Sequence, residues 1–317
     1  MERTESDNSN FNNQDTDDKT FILNQLPLSW IFSTTNIISN HIKLGFSTYW
    51  IYSCKISNLS YISKLLNKIS KKPKTNFIIR GCNHEITKYL AHLKFSSLII
   101  GKEAIIDLDK NPFSKKSLKE LVKRGLKYGT VEEIKFSASS INSLEELKSH
   151  SAHSKEPQLK YLFIDKFIPE TRLFAFIDGE GIWQGAILIS NNSPSKMQTE
   201  LLLRRKSATN GTMEALIYFI YQVLQKESLA EWSLGEVPFV VNPATLHFFS
   251  KPYIINKIGR MLKYAYNYEG LYFFKNKFAT RWENIFLCAK PNVKFRHIIM
   301  LSVRSNLLSL TLQKLLR

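Results

Sequence analysis

Cysteine is scarce in this sequence, and its arrangement excludes two kinds of protein. The three cysteines, Cys54, Cys82 and Cys288, lie far apart, and none forms a Cys-x-x-Cys pair. An odd number of widely separated cysteines supports neither a disulfide framework nor a zinc-binding fold. The seven histidines also lack metal-ligand spacing. We therefore expect a protein of the reducing cytoplasm that has no metal centre.

Long apolar runs are missing as well. No uninterrupted run approaches the ~20 residues that a transmembrane helix requires. The first 19 residues are acidic and rich in asparagine, which is the opposite of a secretory signal peptide. We expect residues 1–19 to form a disordered tail, and we expect the chain not to span a bilayer.

Acidic residues are few compared with basic ones. The chain has 44 Lys+Arg against 27 Asp+Glu, which gives a formal net charge of +17. Residues 1–19 hold six of the acids and two of the bases, so the remainder has 42 bases and 21 acids. This excess favours a polyanionic partner, either nucleic acid or an anionic membrane surface. A generally basic proteome is the alternative explanation.

Residues 199–226 combine a buried strand, a basic turn and an amphipathic helix. Apolar residues recur at helical spacing between Met213 and Leu224, and Thr212 or Asn210 is a suitable N-cap. This helix is the clearest element of secondary structure that the sequence predicts.

The turn before this helix is basic. Arg204, Arg205 and Lys206 precede the free N–H groups of a helix N-terminus, and Gly211 allows close approach to the backbone. We predict a site for a phosphate or a carboxylate. A solvated basic loop in front of a core helix is the alternative.

A second helix is predicted over residues 114–128, with Ser117 and Glu120 as a capping box and Gly129 as C-cap. Like charges spaced four residues apart destabilise an isolated helix. Such a ladder suits a surface that faces phosphates, although a solvated surface also tolerates it. The ladder consists of Lys115, Lys119, Lys123 and Lys127.

The order of the remaining elements indicates the fold class. Residues 97–108 are predicted to be a strand pair turning at Gly101-Lys102, and a polar, serine-rich segment at 133–157 separates two halves. A hairpin between 172 and 189 precedes the basic turn. The elements predicted after the helix are a strand at 231–234, a helix at 257–266, and strands at 271–274 and 284–289.

This order is that of the acyl-CoA N-acyltransferase folds, and we predict an α/β (α+β) protein. Those folds bind the coenzyme A pyrophosphate at a turn with the pattern Gln/Arg-x-x-Gly-x-Gly/Ala. The turn at 205–213 has a single glycine and misses this pattern. Coenzyme A is therefore not the expected donor, and no cofactor is predicted.

Four blocks in the same order resemble a known family. The run RRKSATNGTMEALI looks like the signature R-x-x-x-A-x-N-G-T-M-[DE]-x-L of the C-terminal catalytic domain of phosphatidylglycerol lysyltransferases. The blocks IGKEAIIDL, WSLGEVP and the segment 268–283 resemble three further motifs of that family. The resemblance extends from about residue 90 to residue 291.

The resemblance implies two tandem N-acyltransferase-like (GNAT-like) domains, at 20–135 and 158–292, with the active site in the second. It also implies transfer of an aminoacyl group from aminoacyl-tRNA to a lipid hydroxyl. Two alternatives stay open. One is aminoacyl-tRNA-dependent transfer to a peptide or cell-wall precursor, and the other is a non-catalytic module that binds tRNA or lipid.

The resemblance also implies roles for individual residues. Glu200 is a candidate to hold the aminoacyl ammonium or to orient the hydroxyl, and an ion pair with Arg205 is its structural alternative. Together with Arg205, three residues of the turn are candidates to hold a phosphate or an oxyanion. They are Asn210, Gly211 and Thr212.

The last block supplies further candidates. Lys275 and Lys277 are predicted to share one face of a strand beside Trp282, where cations and an aromatic ring suit the 3′ end of tRNA. Trp282 as a core residue is the alternative. Glu236 replaces the methionine of the family motif and is a candidate to select a different amino acid or acceptor.

The C-terminal segment 293–317 contains no acidic residue and is rich in Leu and Ile. It is predicted to be a basic amphipathic helix on an anionic membrane surface. A terminal helix docked on the domain is the alternative.

Overall fold

In the computed structural model, residues 25–35, 37–45, 47–69, 75–240 and 267–315 are described. The predicted disordered tail at 1–19 and the predicted helix at 257–266 lie outside these residues.

One mixed sheet of 11 strands runs through the described residues. Its order is β1-β3-β4-β11-β5-β10-β9-β8-β7-β6, and β2 pairs with β3. The strands are β1 (Ile31–Phe32), β2 (Ile38–Gly45), β3 (Thr48–Ile56), β4 (Asn76–Cys82), β5 (Ser96–Asp107), β6 (Gly129–Ile134), β7 (Thr171–Asp178), β8 (Trp183–Ser193), β9 (Lys196–Arg204), β10 (Glu231–Pro238) and β11 (Arg281–Lys290).

Helices cover both faces of this sheet. They are α1 (Tyr61–Ile69), α2 (His84–His92), α3 (Lys116–Gly125), α4 (Ala138–Ser149), α5 (Thr212–Lys226), α6 (Tyr268–Asn276), α7 (Phe295–Arg304) and α8 (Leu307–Leu315). This architecture confirms the predicted α/β class.

Alternating side chains of the central strands build two cores on opposite faces, as the period of two in a strand requires. Phe174 and Phe176 of β7 pack with α3 and α5, whereas Leu173 and Ala175 pack with α4. In the other half of the sheet, α1 and α2 cover one face and α7 covers part of the opposite face. The result is a sheet enclosed between two layers of helices.

The two halves of the chain share this sheet. The C-terminal strand β11 lies between β4 and β5 of the N-terminal half, and β5 also pairs with β10. The segment 133–157 contains α4, which begins at the N-cap Ser137 and buries Leu144 and Leu147. The domain boundaries at 20–135 and 158–292 stay a prediction.

Two predicted elements are wrong in kind. Residues 97–107 lie in the single strand β5, because Gly101 does not form a turn. This glycine lets the backbone of β10 approach instead, since a Cβ there would lie 2.4 Å from the Val237 oxygen. Residues 271–274 belong to α6 although aromatic residues favour strands. The side chain of Asn267 caps this helix by accepting a 2.8 Å hydrogen bond from the Gly270 N–H.

The ends of α3 also differ from the prediction. Its N-cap is Lys115, whose side chain makes no capping hydrogen bond, so the capping box of Ser117 and Glu120 does not form. Gly129 begins β6 instead of ending the helix. Leu126, which follows the helix, is 47% exposed. These differences change the ends of α3 but leave its lysine-rich face on the surface.

Candidate active site

The site is organised by a gap between two parallel strands. β9 and β10 pair only between 196–198 and 231–233. Beyond this point β10 shifts its register against β5 at Gly235, whose φ of 86° is in the left-handed region. Beyond Gln198, β9 pairs with β8 alone. The facing backbone groups of β9 and β10 are therefore not paired with each other.

Glu200 of β9 is a buried carboxylate held by three donors. The Ser190 hydroxyl donates to its Oε1 at 2.7 Å, the Ile164 N–H donates to its Oε2 at 2.9 Å, and Gln198 also donates to Oε1. Burial raises the pKa of Glu200, and these hydrogen bonds oppose that rise. The hydrogen bonds therefore hold Glu200 in a defined position, and its burial disfavours the charged form of the carboxyl group.

Lys275, near the end of α6, is a buried amine beside the gap. Its Nζ donates a 3.0 Å hydrogen bond to the backbone oxygen of Glu236, next to Gly235. Burial lowers the pKa of Lys275 to about 8, although the carboxylates of Glu236 and Glu103 act in the opposite direction. A fraction of this side chain is therefore neutral near physiological pH.

Two ion pairs surround these groups. Lys196 and Glu103 are almost fully buried, and Nζ lies 3.0 Å from Oε1. The carboxylate of Glu236 lies 2.7 Å from the Arg80 guanidinium, which belongs to the N-terminal half of the chain. We call Glu103, Lys196, Gln198, Glu200, Glu236 and Lys275 the polar seam, since they line the join between the halves.

A basic pocket with a volume of about 270 Å³ lies between α3, the end of β9, the N-terminus of α5 and the end of α6. Arg124 of α3, Arg204 of β9 and Lys277 beyond α6 bring three cationic side chains to it. Asn210 and Gly211 line it at the N-terminus of α5, where unpaired N–H groups favour an anion. The pocket thus has the charge and the backbone donors that a phosphate requires.

Internal contacts position the cations of this pocket. Arg204 donates a 2.7 Å hydrogen bond to the Ala208 oxygen across the turn. Lys277 Nζ lies 2.9 Å from a carboxylate oxygen of Glu214 and 5.5 Å from the centroid of the Phe274 ring. The pocket therefore carries a net positive charge with one carboxylate at its edge.

A family profile described as phosphatidylglycerol lysyltransferase, C-terminal, matches residues 58–289. The chain belongs to this family. No curated protein sequence that was compared with the chain matches it. The match confirms the predicted resemblance and extends it into the N-terminal half.

Solved structures of the lysyltransferase C-terminal family are similar in fold. L-PGS from Bacillus licheniformis has a TM-score of 0.65 and 19% identity, and the likeness covers 90% of this chain and 88% of that one. A C-terminal domain assigned to a lysylphosphatidylglycerol synthetase from Agrobacterium fabrum has a TM-score of 0.61 and 16% identity, over 86% and 85% of the two chains. FemX is more distant, at a TM-score of 0.49 and 10% identity over 80% and 88%.

Arg205 is not in the anion pocket, which corrects its predicted place beside Arg204. Its Nη2 lies 2.7 Å from both carboxylate oxygens of Glu146 in α4, and its Nε donates to the Trp183 oxygen at 3.0 Å. Successive residues at the end of a strand point to opposite faces, so Arg204 and Arg205 diverge. The alternative ion pair between Glu200 and Arg205 is also wrong, because Arg205 pairs with Glu146 while Glu200 accepts hydrogen bonds from Ser190, Gln198 and Ile164.

Two residues of the turn, Thr212 and Gly211, also have structural contacts. Thr212 is fully buried, and its hydroxyl donates to the Thr209 oxygen at 2.9 Å. Gly211, and not Thr212 or Asn210, is the N-cap of α5, with a φ of 101°. A Cβ on Gly211 would lie 2.3 Å from the Leu121 oxygen, so this glycine allows α3 to approach.

Lys275 and Lys277 do not share a face, because they lie at the end of a helix and not on a strand. Residues two apart in a helix point about 200° apart. Lys275 therefore enters the seam while Lys277 lines the pocket. Trp282 of β11 stacks on Tyr272 at 4.5 Å and donates to Asn276 at 3.0 Å, so its observed contacts are with α6.

Several residues of the site were not predicted from the sequence. Polar residues at every second position of β9 (Lys196, Gln198 and Glu200) are a signal for a buried polar cluster, since they share one face of a buried strand. Glu103 lies in the IGKEAIIDL block of the family resemblance, whereas Arg80 gives no comparable signal, and both reach the seam from distant segments. Their contribution depends on the pairing of the two halves.

Two further findings apply only to the part of the chain that the structure describes. There, no group of three or more His, Cys, Asp or Glu side chains is arranged to hold a metal ion. No helix in the same residues combines the length and the hydropathy of a membrane span.

Proposed function

We propose that this protein is an aminoacyltransferase that moves an aminoacyl group from aminoacyl-tRNA to a lipid hydroxyl, in the manner of a phosphatidylglycerol lysyltransferase. Membership of the lysyltransferase C-terminal family supports this proposal. The observation that carries it is the buried Lys275 beside a strand gap, two residues away from Lys277 in a basic pocket. The end of α6 thus positions both an amine that can accept a proton and a cation of an anion site.

The basic pocket is proposed to hold phosphate oxygens at the acceptor end of the tRNA. Arg124, Arg204 and Lys277 supply the charge, and the N-terminus of α5 supplies N–H donors. The exposed lysines in α3 and at its two ends continue the positive surface away from the pocket. They are Lys115, Lys116, Lys119, Lys123 and Lys127.

Coenzyme A is not required by this proposal. The only glycine of the turn, Gly211, is already in close contact with α3. The turn also misses the pattern Gln/Arg-x-x-Gly-x-Gly/Ala, so it has no second glycine at which a pyrophosphate could approach the backbone closely.

The proposed reaction is an acyl transfer. The lipid hydroxyl oxygen attacks the carbonyl carbon of the aminoacyl ester, a new C–O bond forms, and the C–O bond to the ribose breaks. Neutral Lys275 accepts the proton of the attacking hydroxyl and returns it to the ribose oxygen. A pKa of about 8 suits this role, because a general base works best when its pKa lies near the working pH.

Glu200 is proposed to bind the ammonium of the aminoacyl group. The hydrogen bonds from Ser190, Gln198 and the Ile164 N–H favour its charged form, and a charged carboxylate attracts an ammonium. Glu236 adds a second carboxylate on the neighbouring strand, although Arg80 balances its charge. The amino acid that the protein transfers is the one whose side chain fits between these groups.

The test is incubation of the pure protein with labelled aminoacyl-tRNAs, one amino acid at a time, and dispersed phosphatidylglycerol. Labelled lipid is expected with at least one of them. Lys275→Met is expected to lower the rate on the order of 10²-fold or more, the usual effect of losing a general base. Lys226→Met, which removes an exposed lysine at the end of α5, is the matched control and keeps the rate.

Two outcomes contradict the proposal. Label that appears only on an added peptidoglycan precursor peptide identifies a peptide acceptor. Binding of tRNA without any labelled product, for every amino acid and both acceptors, identifies a non-catalytic module.

A further inference from the structure

The C-terminal helices α7 and α8 carry apolar side chains that the protein leaves exposed. On α7, Phe295, Ile299 and Val303 are exposed by 54%, 47% and 50%. They recur every four residues, so they form one stripe about 12 Å long on one side of the helix. On α8, Leu308 and Leu312 repeat this spacing with 40% and 51% exposure.

These side chains are not needed to hold the helices in place. Leu301 of α7 and Leu310 of α8 are buried against the body of the protein, and so is His297. The turn between the helices is also fixed, because Asn306 donates to the Gln158 oxygen at 2.8 Å. The exposed stripes are therefore additional apolar surface on helices that are already docked.

The charge around the stripes has a single sign over a long segment. No acidic residue occurs between 291 and 317. Arg296 lies next to the α7 stripe by helical position, and Arg304 follows at the end of the helix. Burial lowers the pKa of His297, and the neighbouring cations Arg296 and Lys294 lower it further. The field around His297 is therefore locally positive.

A neighbouring loop adds to this positive surface. The Lys160 N–H donates to the Ser305 oxygen at 3.1 Å, and Gln313 of α8 donates to the Lys155 oxygen at 3.5 Å. Both Lys155 and Lys160 are exposed beside the helix pair, and the acid between them, Glu156, lies 2.9 Å from the Nδ1 of His153. Apolar stripes are thus flanked by cations from two segments of the chain.

We propose that α7, α8 and the loop at 155–160 form a docking face for an anionic lipid bilayer. Apolar side chains enter the boundary between headgroups and acyl chains, while Lys and Arg remain near lipid phosphates. Nucleic acid supplies the same negative charge but no apolar layer for the stripes. The face lies outside the polar seam and the basic pocket, so it does not depend on the transfer reaction.

The test measures cosedimentation with vesicles in the absence of tRNA. The full chain is expected to bind vesicles of phosphatidylserine and phosphatidylcholine in equal parts, and to bind pure phosphatidylcholine more weakly. Phosphatidylserine is used because it separates docking from recognition of a phosphatidylglycerol substrate. High salt is expected to weaken the binding, since the cations act on charged headgroups.

The decisive variant carries Ile299→Asp and Val303→Asp, which place charges in the stripe. Binding is expected to fall by roughly tenfold or more, because apolar contact and electrostatic attraction are both lost. The matched control is Ile182→Asp, at a 39% exposed isoleucine in the turn between β7 and β8, and it is expected to bind like the unmodified protein. If the stripe variant fails to fold, Arg296→Gln with Arg304→Gln tests the same face through its charge.

Three results overturn the docking face. They are no binding of the unmodified chain to anionic vesicles, equal binding by the stripe and arginine variants, and a dimer that the stripe variant dissociates without any vesicle binding. Transfer to detergent-dispersed lipid is expected to persist in the stripe variant. Failure of docking and failure of the proposed reaction are therefore distinguishable.

Discussion

Lys275 donates a 3.0 Å hydrogen bond to the backbone oxygen of Glu236 at the point where β10 separates from β9. This contact places a buried amine among carboxylates, in a gap that the sheet leaves open. Burying a charged lysine destabilises a fold, whereas an apolar side chain of similar size would fill the same space without that cost. The position therefore indicates a role that needs an amine.

Lys275→Met is expected to stabilise the protein near pH 7. The pKa of Lys275 is about 8 when folded and about 10.4 in an unfolded chain, so charging the folded state costs on the order of 1–3 kcal/mol below pH 8. Between pH 8 and about 10 the unfolded chain binds more protons, and stability of the unmodified protein rises with pH. The stability difference between the two proteins is therefore expected to shrink over this range.

Urea unfolding of both proteins at several pH values measures this difference. Lys226→Met serves again as the control, since its side chain is exposed. A loss of stability in Lys275→Met at pH 7, with no change in the difference up to pH 10, contradicts a lowered pKa.

Arg204→Gln is expected to weaken the binding of tRNA that carries no aminoacyl group. Each phosphate contact releases a counterion from the tRNA. Losing one contact therefore reduces, by about one, the steepness with which the logarithm of the binding constant falls against the logarithm of the salt concentration. Arg205→Gln is the matched control, since the adjacent arginine binds Glu146 outside the pocket. It is expected to leave the slope unchanged and to reduce stability by about 1 kcal/mol.

Fluorescence anisotropy over a series of salt concentrations supplies both slopes. An equal loss in the two variants contradicts the separate places of the two arginines.

Gly211→Ala is expected to destabilise the fold by at least about 2 kcal/mol, because an alanine there is strained and meets the backbone of α3. The hypothetical Cβ lies 2.3 Å from the Leu121 oxygen and 2.7 Å from the Gly125 nitrogen. Gly179→Ala is the control, since its Cβ has nothing within 4 Å. Its effect is expected to stay within about 0.5 kcal/mol.

Thermal unfolding of the two glycine variants makes the comparison. If the two proteins are equally stable, α3 and α5 do not cross as closely as the contact at Gly211 requires.

Lys196→Met is expected to cost about 3–5 kcal/mol of stability, because it leaves the buried carboxylate of Glu103 unpaired. Adding Glu103→Gln to this variant is expected to recover part of the loss, since no buried charge is then left alone. The control is Lys110→Met. It removes an exposed ion pair with Asp107, and a cost below about 1 kcal/mol is expected.

Chemical denaturation of the four proteins gives the coupling between Lys196 and Glu103. Additive losses in the double variant contradict a direct buried ion pair.

Much of the local structure was predictable from the sequence. The hairpin of β7 and β8, the strand β9 and the helix α5 follow from alternation and helical spacing, which depend on neighbouring residues alone. Errors occurred where distant segments decide the outcome. Gly101 looked like a turn, but it is the place where β10 crosses β5, and α6 formed where aromatic residues favoured a strand.

The candidate site was predictable only in part. The basic turn and the carboxylate of Glu200 were identified from residue types, and the blocks of family resemblance located them within one domain. Which cations face the pocket was not predictable, since Arg204 and Arg205 differ by one position and point to opposite sides. The roles of all these residues stay predictions.

The sequence by itself determined the charge, the order of elements from β7 to α5, and the family, because these depend on composition and on contacts close along the chain. Only the tertiary structure brought Arg80 and Glu103 to Glu236 and Lys196, across the join of the two halves. The same packing separated Lys275 from Lys277 and left the stripes of α7 and α8 exposed. Burial and partnership depend on how the sheet closes, and no local pattern encodes them.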